Sequence, residues 1–402
     1  MSPFTTVLLL LLCARRREHD RDPTPRAEAS PQSPILPEEL IIEILSWLPV
    51  KALLQLKRVC KSWRSLISDP QFVKKHLHRS ITDARFSRRR FLLLTASSQR
   101  QLLSGSVQGL FENPSAISVD ASFEFKCKYE IVGSCDGLLC LADYAKGHLR
   151  IWNPFTRLRS KKLPCFHDSN HDPCCITVFG FGFDHFTDNY KVVVINYYID
   201  REESIVKVYN FGANSWRQIQ NFPNVPLAYH GPGKFVSRTL NWAVAGINNS
   251  GFPLGIGPLQ QLEIVSLDLG KETYSKLQLP DIEDKELVFG WPMLSVLKDC
   301  LCFFYDYKES YLVLWLMKEH GVRESWTKLM TIPYMGLERI NKFPFLSPLF
   351  LSDNGEVLLQ NHSDELVMYD PRDKKFEHAK IEVDKPWVDS MIYVESLVSP
   401  PC

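Results

Sequence analysis

The sequence has no apolar run long enough to cross a lipid bilayer. The most hydrophobic stretch near its start, residues 4–14, is roughly half the length of a transmembrane helix, which needs about 20 residues. It also lacks the flanks of a secretory signal, because no Lys or Arg precedes it and Arg15, Arg16 and Arg17 follow where a small-residue cleavage site is expected. We therefore expect no membrane association and a location inside the cell, in the cytoplasm or the nucleus.

The chain has little net charge, and its cysteines follow no pattern. The formal net charge is +1, and the 11 cysteines lack the density and regular spacing of a disulfide scaffold, which favours reduced thiols. Residues 1–100 hold 18 Lys and Arg against 9 Asp and Glu. These basic residues lie among leucines without the interleaved aromatic residues of a nucleic-acid surface, so we expect no nucleic-acid partner.

The composition is that of a folded globular protein with a polar tail. Hydrophobic residues make up 45% and charged residues 23% of the 402 positions, which suits two domains of unequal size. Residues 15–34 are charged and proline-bearing with almost no large apolar side chain, so they cannot form a core. We expect a disordered tail over residues 1–33.

Residues 34–80 predict a small helical module. Apolar residues recur at helical spacing from Leu40 onward, and Pro37 suits the first helical position, where a missing N–H needs no partner. Pro49 stops or kinks this helix, and a second helical pattern runs to the Asp-Pro step at 69–70. We expect three helices. So short a segment cannot bury so many large apolar side chains by itself, so they either bind a partner or dock on the rest of the chain.

Beyond residue 85 the sequence has the pattern of an all-β domain. One phrase recurs there: an apolar strand ending near an aromatic residue, a polar turn, a second strand, and then Leu-Pro or Ile-Pro in most copies. Its anchor positions are Trp152, Tyr209, Leu267, Trp315 and Tyr369. Their spacing is close to the period of about 50 residues of kelch-type propeller blades, each of which is a four-stranded sheet.

A second type of hairpin lies between copies of the first. In "IVGSCDGLLCLAD" and "FLSDNGEVLLQN" the dipeptides Asp136-Gly137 and Asn354-Gly355 predict tight turns. Five units are visible, and residues 88–125 with the C-terminal "SMIYVESLV" are expected to form a further blade that closes the ring. The sequence leaves five, six and seven blades open. We therefore expect an α+β multidomain fold, with a small three-helix module followed by a large all-β, kelch-like β-propeller.

The two parts together resemble a known family. The stretch "ILPEELIIEILSWLPVKALLQLKRVCKSWRSLISDPQF" is similar to an F-box over its whole length. The motifs "GSCDGLLCL", "IWNPFTRLRSKKLP" and "VRESWTKL" resemble the F-box-associated interaction domain of plant F-box/kelch-repeat proteins. The resemblance implies an F-box module at 34–80 and a substrate-binding, propeller-like domain at 81–402.

The family implies that the F-box helices bind a Skp-type adaptor, which links them to a cullin and the ubiquitin-transfer machinery, while the β domain binds a target protein. Carried over by motif, the adaptor-binding residues are Leu36, Pro37, Leu40, Ile44, Leu45, Leu53 and Leu54. The residues expected to pack between the helices are Val59, Cys60 and Trp63. The division between contact and packing stays open, because a helical stripe serves either purpose. The motifs name no substrate-binding residue.

Two constellations have the residue types of catalytic or metal sites. "GSCDG" at 133–137 has the spacing of a nucleophile elbow, but the strand-like "LLCLAD" follows it, which favours a hairpin turn. The segment "CFHDSNHDPCC" holds five possible zinc ligands: Cys165, His167, His171, Cys174 and Cys175. Because a second, separated ligand pair is missing, we interpret this segment as a polar loop between blades.

No motif brings acids, bases or metal ligands together at one opening of the predicted propeller. We therefore expect a binding protein and not an enzyme, with no catalytic residues and no cofactor. Two alternatives remain. A β-propeller enzyme would need convergent catalytic groups at one mouth. A secreted propeller adhesion protein would use the N-x-S sequons at Asn248 and Asn361.

Overall fold

The computed structural model describes the chain over residues 37–82, 88–96, 101–115, 117, 119, 121–125, 129–166, 175–226, 231–245, 262–282, 288–308, 310–335, 346–361, 365–381 and 386–401. Some positions considered above lie outside the described residues: 1–33, Leu36, His167, His171, Cys174 and Asn248. Among the helices that are described, none is long and apolar enough to cross a membrane.

The described part of the N-terminal module forms four helices, where the sequence predicts three: α1 (Glu38–Ser46), α2 (Val50–Leu56), α3 (Lys61–Ser68) and α4 (Pro70–Thr82). The additional helix starts at the Asp-Pro step that the sequence analysis interpreted as an end. Asp69 Oδ1 accepts hydrogen bonds from the N–H groups of Gln71 and Phe72 at 2.9 and 3.1 Å. This cap and the following proline therefore begin α4.

Prolines precede both of the first two helices. Pro37 and Pro49 occupy the N-cap positions of α1 and α2, so Pro37 lies one residue before the helical position predicted for it. Both have extended backbone, with ψ of 144° and 149°, which suits the φ that the proline ring imposes. The first N–H groups of a helix lack intrahelical partners, so a proline there removes no hydrogen bond.

The rest of the described chain consists mainly of strands: β1 (Arg89–Thr95), β2 (Gln101–Ser106), β3 (Ala121–Glu124), β4 (Glu130–Cys135), β5 (Leu138–Asp143), β6 (His148–Trp152), β7 (Cys175–Asp184), β8 (Asn189–Tyr198), β9 (Glu203–Asn210), β10 (Ser215–Ile219), β11 (Val225–Pro226), β12 (Lys234–Val236), β13 (Thr239–Ala245), β14 (Leu262–Asp268), β15 (Thr273–Leu277), β16 (Val288–Leu297), β17 (Cys300–Tyr307), β18 (Tyr311–Met317), β19 (Trp326–Pro333), β20 (Leu346–Leu351), β21 (Val357–Asn361), β22 (Glu365–Asp370), β23 (Lys375–His378) and β24 (Trp387–Val394). A short helix, α5 (Val107–Glu112), follows β2.

Within the described residues these strands form six antiparallel sheets, the blades of a six-bladed propeller. Blade 1 has the order β24-β1-β2-β3, and blade 2 has β4-β5-β6. Blade 3 contains β7 to β10, blade 4 β11 to β15, blade 5 β16 to β19 and blade 6 β20 to β23. In blade 4 the short strands β11 and β12 both pair with β13.

Blade 1 closes the ring with strands from both ends of the β domain. The N-terminal strand β1 pairs antiparallel with β24, where Leu92 lies opposite Met391, and also with β2, where Leu92 lies opposite Ser104. This arrangement confirms the predicted ring-closing blade and sets the number of blades at six. The backbone hydrogen bonds between β1 and β24 stabilise the ring because they join distant parts of the chain.

The recurring sequence phrase corresponds to the same place in each blade. Its five anchor residues all lie in the third strand of a blade: Trp152 in β6, Tyr209 in β9, Leu267 in β14, Trp315 in β18 and Tyr369 in β22. Blade 2 lacks a regular fourth strand within the described residues. Its Leu-Pro segment runs beside β6 instead, with hydrogen bonds from Ser160 N to Ile151 O at 2.8 Å and from Leu163 N to Leu149 O at 3.0 Å.

The propeller has two faces, which we name by their relation to the helices. The helical face carries the β7–β8 and β16–β17 turns, and Lys74 of α4 forms a 2.8 Å ion pair there with Asp188. The distal face lies at the opposite ends of the same strands and carries the β17–β18 connection. Three exposed apolar or aromatic side chains occur at the distal ends of strands or just beyond them: Tyr311, Met335 and Val388.

Candidate functional site

The helices α1 to α4 enclose a small apolar core. Leu45 and Leu53, which the sequence analysis placed among the adaptor-binding residues, have no exposed surface. They pack in one cluster with Leu48, Val50, Leu56, Trp63, Ile67 and Phe72. In this structure both leucines therefore stabilise the module, because neither side chain reaches the surface that a partner contacts.

Part of the apolar stripe remains at the surface. Pro37 and Leu40 are exposed, Leu40 to 49%, while Ile44 and Leu54 are half-buried. Pro37, Leu40 and Ile44 are three and four residues apart, so they share one face of α1. We call these three residues the α1 stripe. Leu36 precedes the stripe and lies outside the described residues.

Of the residues expected to pack between the helices, two are buried or half-buried and one is exposed. Trp63 is buried in the core cluster, and Cys60 packs against it half-buried. Cys60 also caps α3, because its sulfur accepts a hydrogen bond from the Trp63 N–H at 3.2 Å. Val59 is 38% exposed and lies at the surface, whereas the resemblance to the F-box implied that it packs between the helices.

A charged cluster joins α1 to α4. The Glu43 carboxylate accepts hydrogen bonds from Lys75 at 2.9 Å, Arg79 at 2.6 Å and the Trp47 indole N–H at 3.2 Å. The bonds from Lys75 and Arg79 lower the pKa of Glu43 to about 2. The Arg79 guanidinium also lies 4.2 Å from the centre of the Trp47 ring. These contacts hold α1 in a fixed position on α4.

A second charged cluster joins the helices to the propeller. Arg88, which precedes β1, donates a hydrogen bond to the Trp47 carbonyl oxygen at 3.1 Å. Its guanidinium also lies 3.9 Å from Glu395, which is 3.6 Å from Arg90. Burial lowers the pKa of Arg88 to about 10, although the Glu395 carboxylate acts in the opposite direction. The ring-closing blade and the end of α1 therefore share one buried cation.

The C-terminal segment lies between the two modules. We call residues 395–398 the C-terminal strap. Leu397 is 3% exposed and belongs to the helical core cluster, against which Phe155 of blade 2 also packs. The Asn153 side-chain amide donates to the carbonyl oxygens of Ser396 at 3.0 Å and Val398 at 2.7 Å. The sequence predicts this segment only as part of the closing blade, because the two apolar residues Leu397 and Val398 do not by themselves show which neighbour covers them.

The "GSCDG" segment is a hairpin turn, as predicted. Cys135 ends β4 and pairs with Leu138 at the start of β5, so Asp136 and Gly137 form the turn, and a strand follows where a nucleophile elbow has a helix. Burial raises the pKa of the Cys135 thiol well above its usual value. Asp136 accepts a 3.0 Å hydrogen bond from the Tyr190 hydroxyl. This arrangement favours a protonated, structural cysteine over a nucleophile.

Within the part of the chain that the structure describes, no three His, Cys, Asp or Glu side chains lie close enough together to hold a metal ion. Of the five possible ligands in the "CFHDSNHDPCC" segment, Cys165 is exposed and Cys175 is half-buried at the start of β7. The other three lie outside the described residues.

The comparisons with known proteins agree with the two-module architecture. The F-box-like family matches residues 34–80, and the F-box associated beta propeller domain family matches residues 90–400. An F-box/kelch-repeat protein of Arabidopsis thaliana is 31% identical over 386 residues, which cover 94% of this chain and 99% of that protein. The F-box protein CPR1 of the same plant is 27% identical over 388 residues, covering 90% of this chain and 88% of that protein.

The second of these family matches spans well over half of the chain, and the first covers the helices that precede the propeller. The alignments extend nearly from end to end in both relatives. The chain therefore belongs to the family of F-box proteins that carry an F-box-associated β-propeller domain.

Proposed function

We propose that this chain is the substrate-receptor subunit of a Skp–cullin–F-box ubiquitin ligase. The module at 34–80 binds a Skp-type adaptor and, through it, a cullin, while the domain at 81–402 binds a target protein. The target is then ubiquitinated and degraded by the proteasome. The transfer chemistry takes place on other subunits, so this chain needs no catalytic residue and no cofactor of its own.

The observation that carries the proposal is the exposed α1 stripe on a module that otherwise has a closed core. Pro37, Leu40 and Ile44 present apolar surface to solvent although Leu45 and Leu53 are fully buried beside them. Exposed apolar side chains at helical spacing suit a groove on a partner, where a few buried anchors supply most of the affinity. We therefore assign the adaptor contact to the α1 stripe together with Leu36 and Leu54.

The distal face is the surface that we assign to the target. The helices contact the helical face through Lys74 and Asp188, so an adaptor bound to them lies on that side. The distal face exposes Tyr311, Met335 and Val388, with Met335 88% exposed. Apolar and aromatic side chains of this kind are typical anchors of protein interfaces.

The adaptor contact is tested by a pull-down of the full chain with a purified Skp-type adaptor. We expect the Leu40→Glu variant to bind at least about tenfold more weakly, because a carboxylate replaces an apolar anchor. Val322→Glu is the matched control, because Val322 is an apolar residue of similar exposure, 41%, and it belongs to the β18–β19 connection of the propeller and not to the F-box module. Circular dichroism verifies that both variants fold.

Two outcomes contradict the adaptor assignment. A folded parent chain that does not bind the adaptor removes the ligase hypothesis and reopens the enzyme and adhesion alternatives. A Leu40→Glu variant that binds as well as the Val322→Glu control keeps the hypothesis but moves the contact away from the α1 stripe.

The distal-face assignment needs a separate measurement. Proteins bound to the parent, Met335→Glu and Val322→Glu chains are compared by quantitative mass spectrometry, with the adaptor as internal standard. We expect a target to be lost from Met335→Glu alone while the adaptor is retained by all three chains. Equal recovery of every bound protein by the three chains contradicts the assignment of the distal face.

A further inference from the structure

The propeller contains a cavity at its centre. The cavity has a volume of about 680 Å³ and lies among the innermost strands β4, β12, β16, β20 and β24. This volume falls within the range of small-molecule sites in proteins, which is about 300–1,000 Å³. Each of these strands is the inner edge of its sheet, so its inward backbone groups are not used in the blade and offer hydrogen-bond donors and acceptors to the cavity.

One cation on the cavity wall differs from the others. Arg89 pairs with Asp299 at 3.4 Å, and Lys298 pairs with Asp353 at 3.2 Å, both at the mouth on the helical face. Lys234 also lies on the wall, in the short strand β12. Among the described residues, none forms a hydrogen bond or an ion pair with its ammonium group.

The backbone of Lys234 is fixed on both sides. The preceding residue, Gly233, donates its N–H to the Phe179 carbonyl oxygen at 2.7 Å, which ties β12 to blade 3. The Asn241 side-chain amide donates to the Lys234 carbonyl oxygen at 3.0 Å. The ammonium group is therefore carried by a fixed backbone, so anion binding has to order only the Lys234 side chain and not the strand.

The surroundings of Lys234 disfavour its charge. Burial lowers the pKa of its ammonium group, and the attraction of Asp389, on the same cavity wall, compensates only in part. A desolvated cation gains more from an anion than an exposed one does, because water screens the interaction less. Asp389 in turn repels ligands that carry several negative charges, so a single negative charge suits the site best.

The remaining wall contains apolar side chains from three blades. Met293 and Val296 come from β16, Leu349 from β20 and Ile392 from β24. They suit the uncharged body of a ligand, while Lys234 suits one acidic group.

We propose that the central cavity binds a small monocarboxylic acid with an apolar body, whose carboxylate pairs with Lys234. The ligand enters from the distal face, where a second cavity of about 390 Å³ shares the wall residues Gly231, Val388 and Asp389. The mouth on the helical face is bordered by Ile81 of α4, so the F-box module restricts entry on that side. The site is independent of the adaptor contact.

The test uses benzoate as the probe and benzamide as its neutral counterpart of similar shape. Isothermal titration calorimetry of the full chain is carried out at constant ionic strength. We expect benzoate to bind at least about tenfold more tightly than benzamide, because only the benzoate carboxylate can form a charge-assisted hydrogen bond with Lys234. Lys234→Met is expected to abolish this preference. Lys328→Met is the control, because Lys328 is an exposed lysine on the outermost strand of blade 5.

A second measurement on the parent chain does not depend on the folding of a variant. The N-hydroxysuccinimide ester of acetic acid acetylates lysine: Nζ forms an amide bond with the acetyl carbon, the ester C–O bond breaks, the N-hydroxysuccinimide anion leaves, and the amine proton goes to the buffer. Mass spectrometry is expected to show that benzoate lowers the acetylation of Lys234 at least about threefold relative to Lys328, and that benzamide does not.

Two results overturn the proposal. The first is a parent chain in which benzoate neither binds more tightly than benzamide nor protects Lys234 from acetylation. The second is a folded Lys234→Met chain that retains the preference for benzoate.

Discussion

The Arg88 guanidinium donates a hydrogen bond to the Trp47 carbonyl oxygen at 3.1 Å, and so connects the end of α1 to the strand that closes the propeller ring. The same guanidinium faces Glu395 in the C-terminal strap. The F-box module is thus attached to the propeller by buried polar contacts as well as by the covalent chain. If the chain acts as the proposed substrate receptor, this attachment fixes the distance between the bound target and the adaptor.

Arg88→Ala is expected to loosen this attachment. The substitution leaves the Trp47 carbonyl oxygen without its donor, and it removes one of two cations beside Glu395, which costs about 1–2 kcal/mol in the free energy of unfolding. Urea unfolding measures this loss, and small-angle X-ray scattering is expected to show a larger radius of gyration. Arg89→Ala is the control, because Arg89 pairs with the exposed Asp299. Equal behaviour of the two variants contradicts the role of Arg88.

The F-box module is expected to lose stability as the pH falls from about 6.5 to about 4. His76 is fully buried, and its Nε2–H donates to the Leu48 carbonyl oxygen at 3.0 Å. Burial lowers the pKa of His76 to about 4. Below pH 6.5 His76 therefore binds a proton in the unfolded chain but not in the folded chain. The free energy of unfolding decreases as the pH falls towards the folded-state pKa, by about 3 kcal/mol in total.

Urea unfolding across this pH range, followed by tryptophan fluorescence, measures the effect. The variant His76→Gln keeps a hydrogen-bond donor but does not titrate, so its unfolding free energy is expected to vary much less over the same range. Glu43, whose pKa is lowered to about 2, adds a further loss only below about pH 4.5. A parent chain as stable at pH 4 as at pH 7 shows that His76 is not held neutral.

Gly137→Ala is expected to destabilise the propeller more than the same change at Gly321. Both glycines have positive φ, 78° and 86°, so alanine costs about 1 kcal/mol of backbone strain at either position. A Cβ at Gly137 also meets the Ser396 side chain and approaches the Val394 carbonyl oxygen to 2.5 Å, whereas no heavy atom of the described residues lies within 4 Å at Gly321. The collision with the C-terminal strap adds about 1–3 kcal/mol.

The difference between the two variants in thermal or urea unfolding isolates the packing of the strap against the β4–β5 turn. If both glycine variants lose the same stability, the strap does not pack closely on this turn in solution.

Lys191→Met is expected to cost about 3–5 kcal/mol, because it leaves a buried carboxylate without its partner. Lys191 of blade 3 lies 2.9 Å from Asp184, 3.0 Å from Glu272 and 2.5 Å from the Leu269 carbonyl oxygen of blade 4. Burial alone raises the pKa of Asp184, but hydrogen bonds from Thr187 and Lys191 hold it below its usual value.

The control for this prediction is Lys276→Met in blade 4. Lys276 pairs with Glu263 at 2.7 Å, but both side chains are exposed, so its loss is expected to cost less than about 1 kcal/mol. Urea unfolding of both variants provides the comparison. A similar small cost for the two lysines shows that the contact between blades 3 and 4 does not depend on Lys191.

Much of the propeller is predictable from local sequence. The anchors Trp152, Tyr209 and Trp315 each lie in the third strand of a blade. Such strands can be predicted because alternating apolar and polar residues and turn dipeptides are local properties of the sequence. The blade number was not predictable, since blade 2 completes its outer edge with irregular chain and the loops differ in length. Pairing of β1 with β24 decided it.

The helical module shows where local pattern becomes ambiguous. Leu40 and Leu45 both lie at helical spacing, yet Leu40 is half exposed and Leu45 is buried. The sequence pattern of α1 does not separate them, because the positions of α4 and the C-terminal strap determine which side of α1 is covered. The step at Asp69 has the residues of a helix end and of a helix start. Its side-chain hydrogen bonds to the following N–H groups make it a start.

The F-box motif, the blade repeat and the hairpin turns follow from residues close together in the chain, and the order of amino acids alone was enough to establish them. The burial of Leu397, the contact of Arg88 with Trp47 and the cavity wall around Lys234 required the folded molecule. Each of these features brings together residues far apart in sequence. Their proximity depends on six sheets closing into one ring, which no short segment encodes by itself.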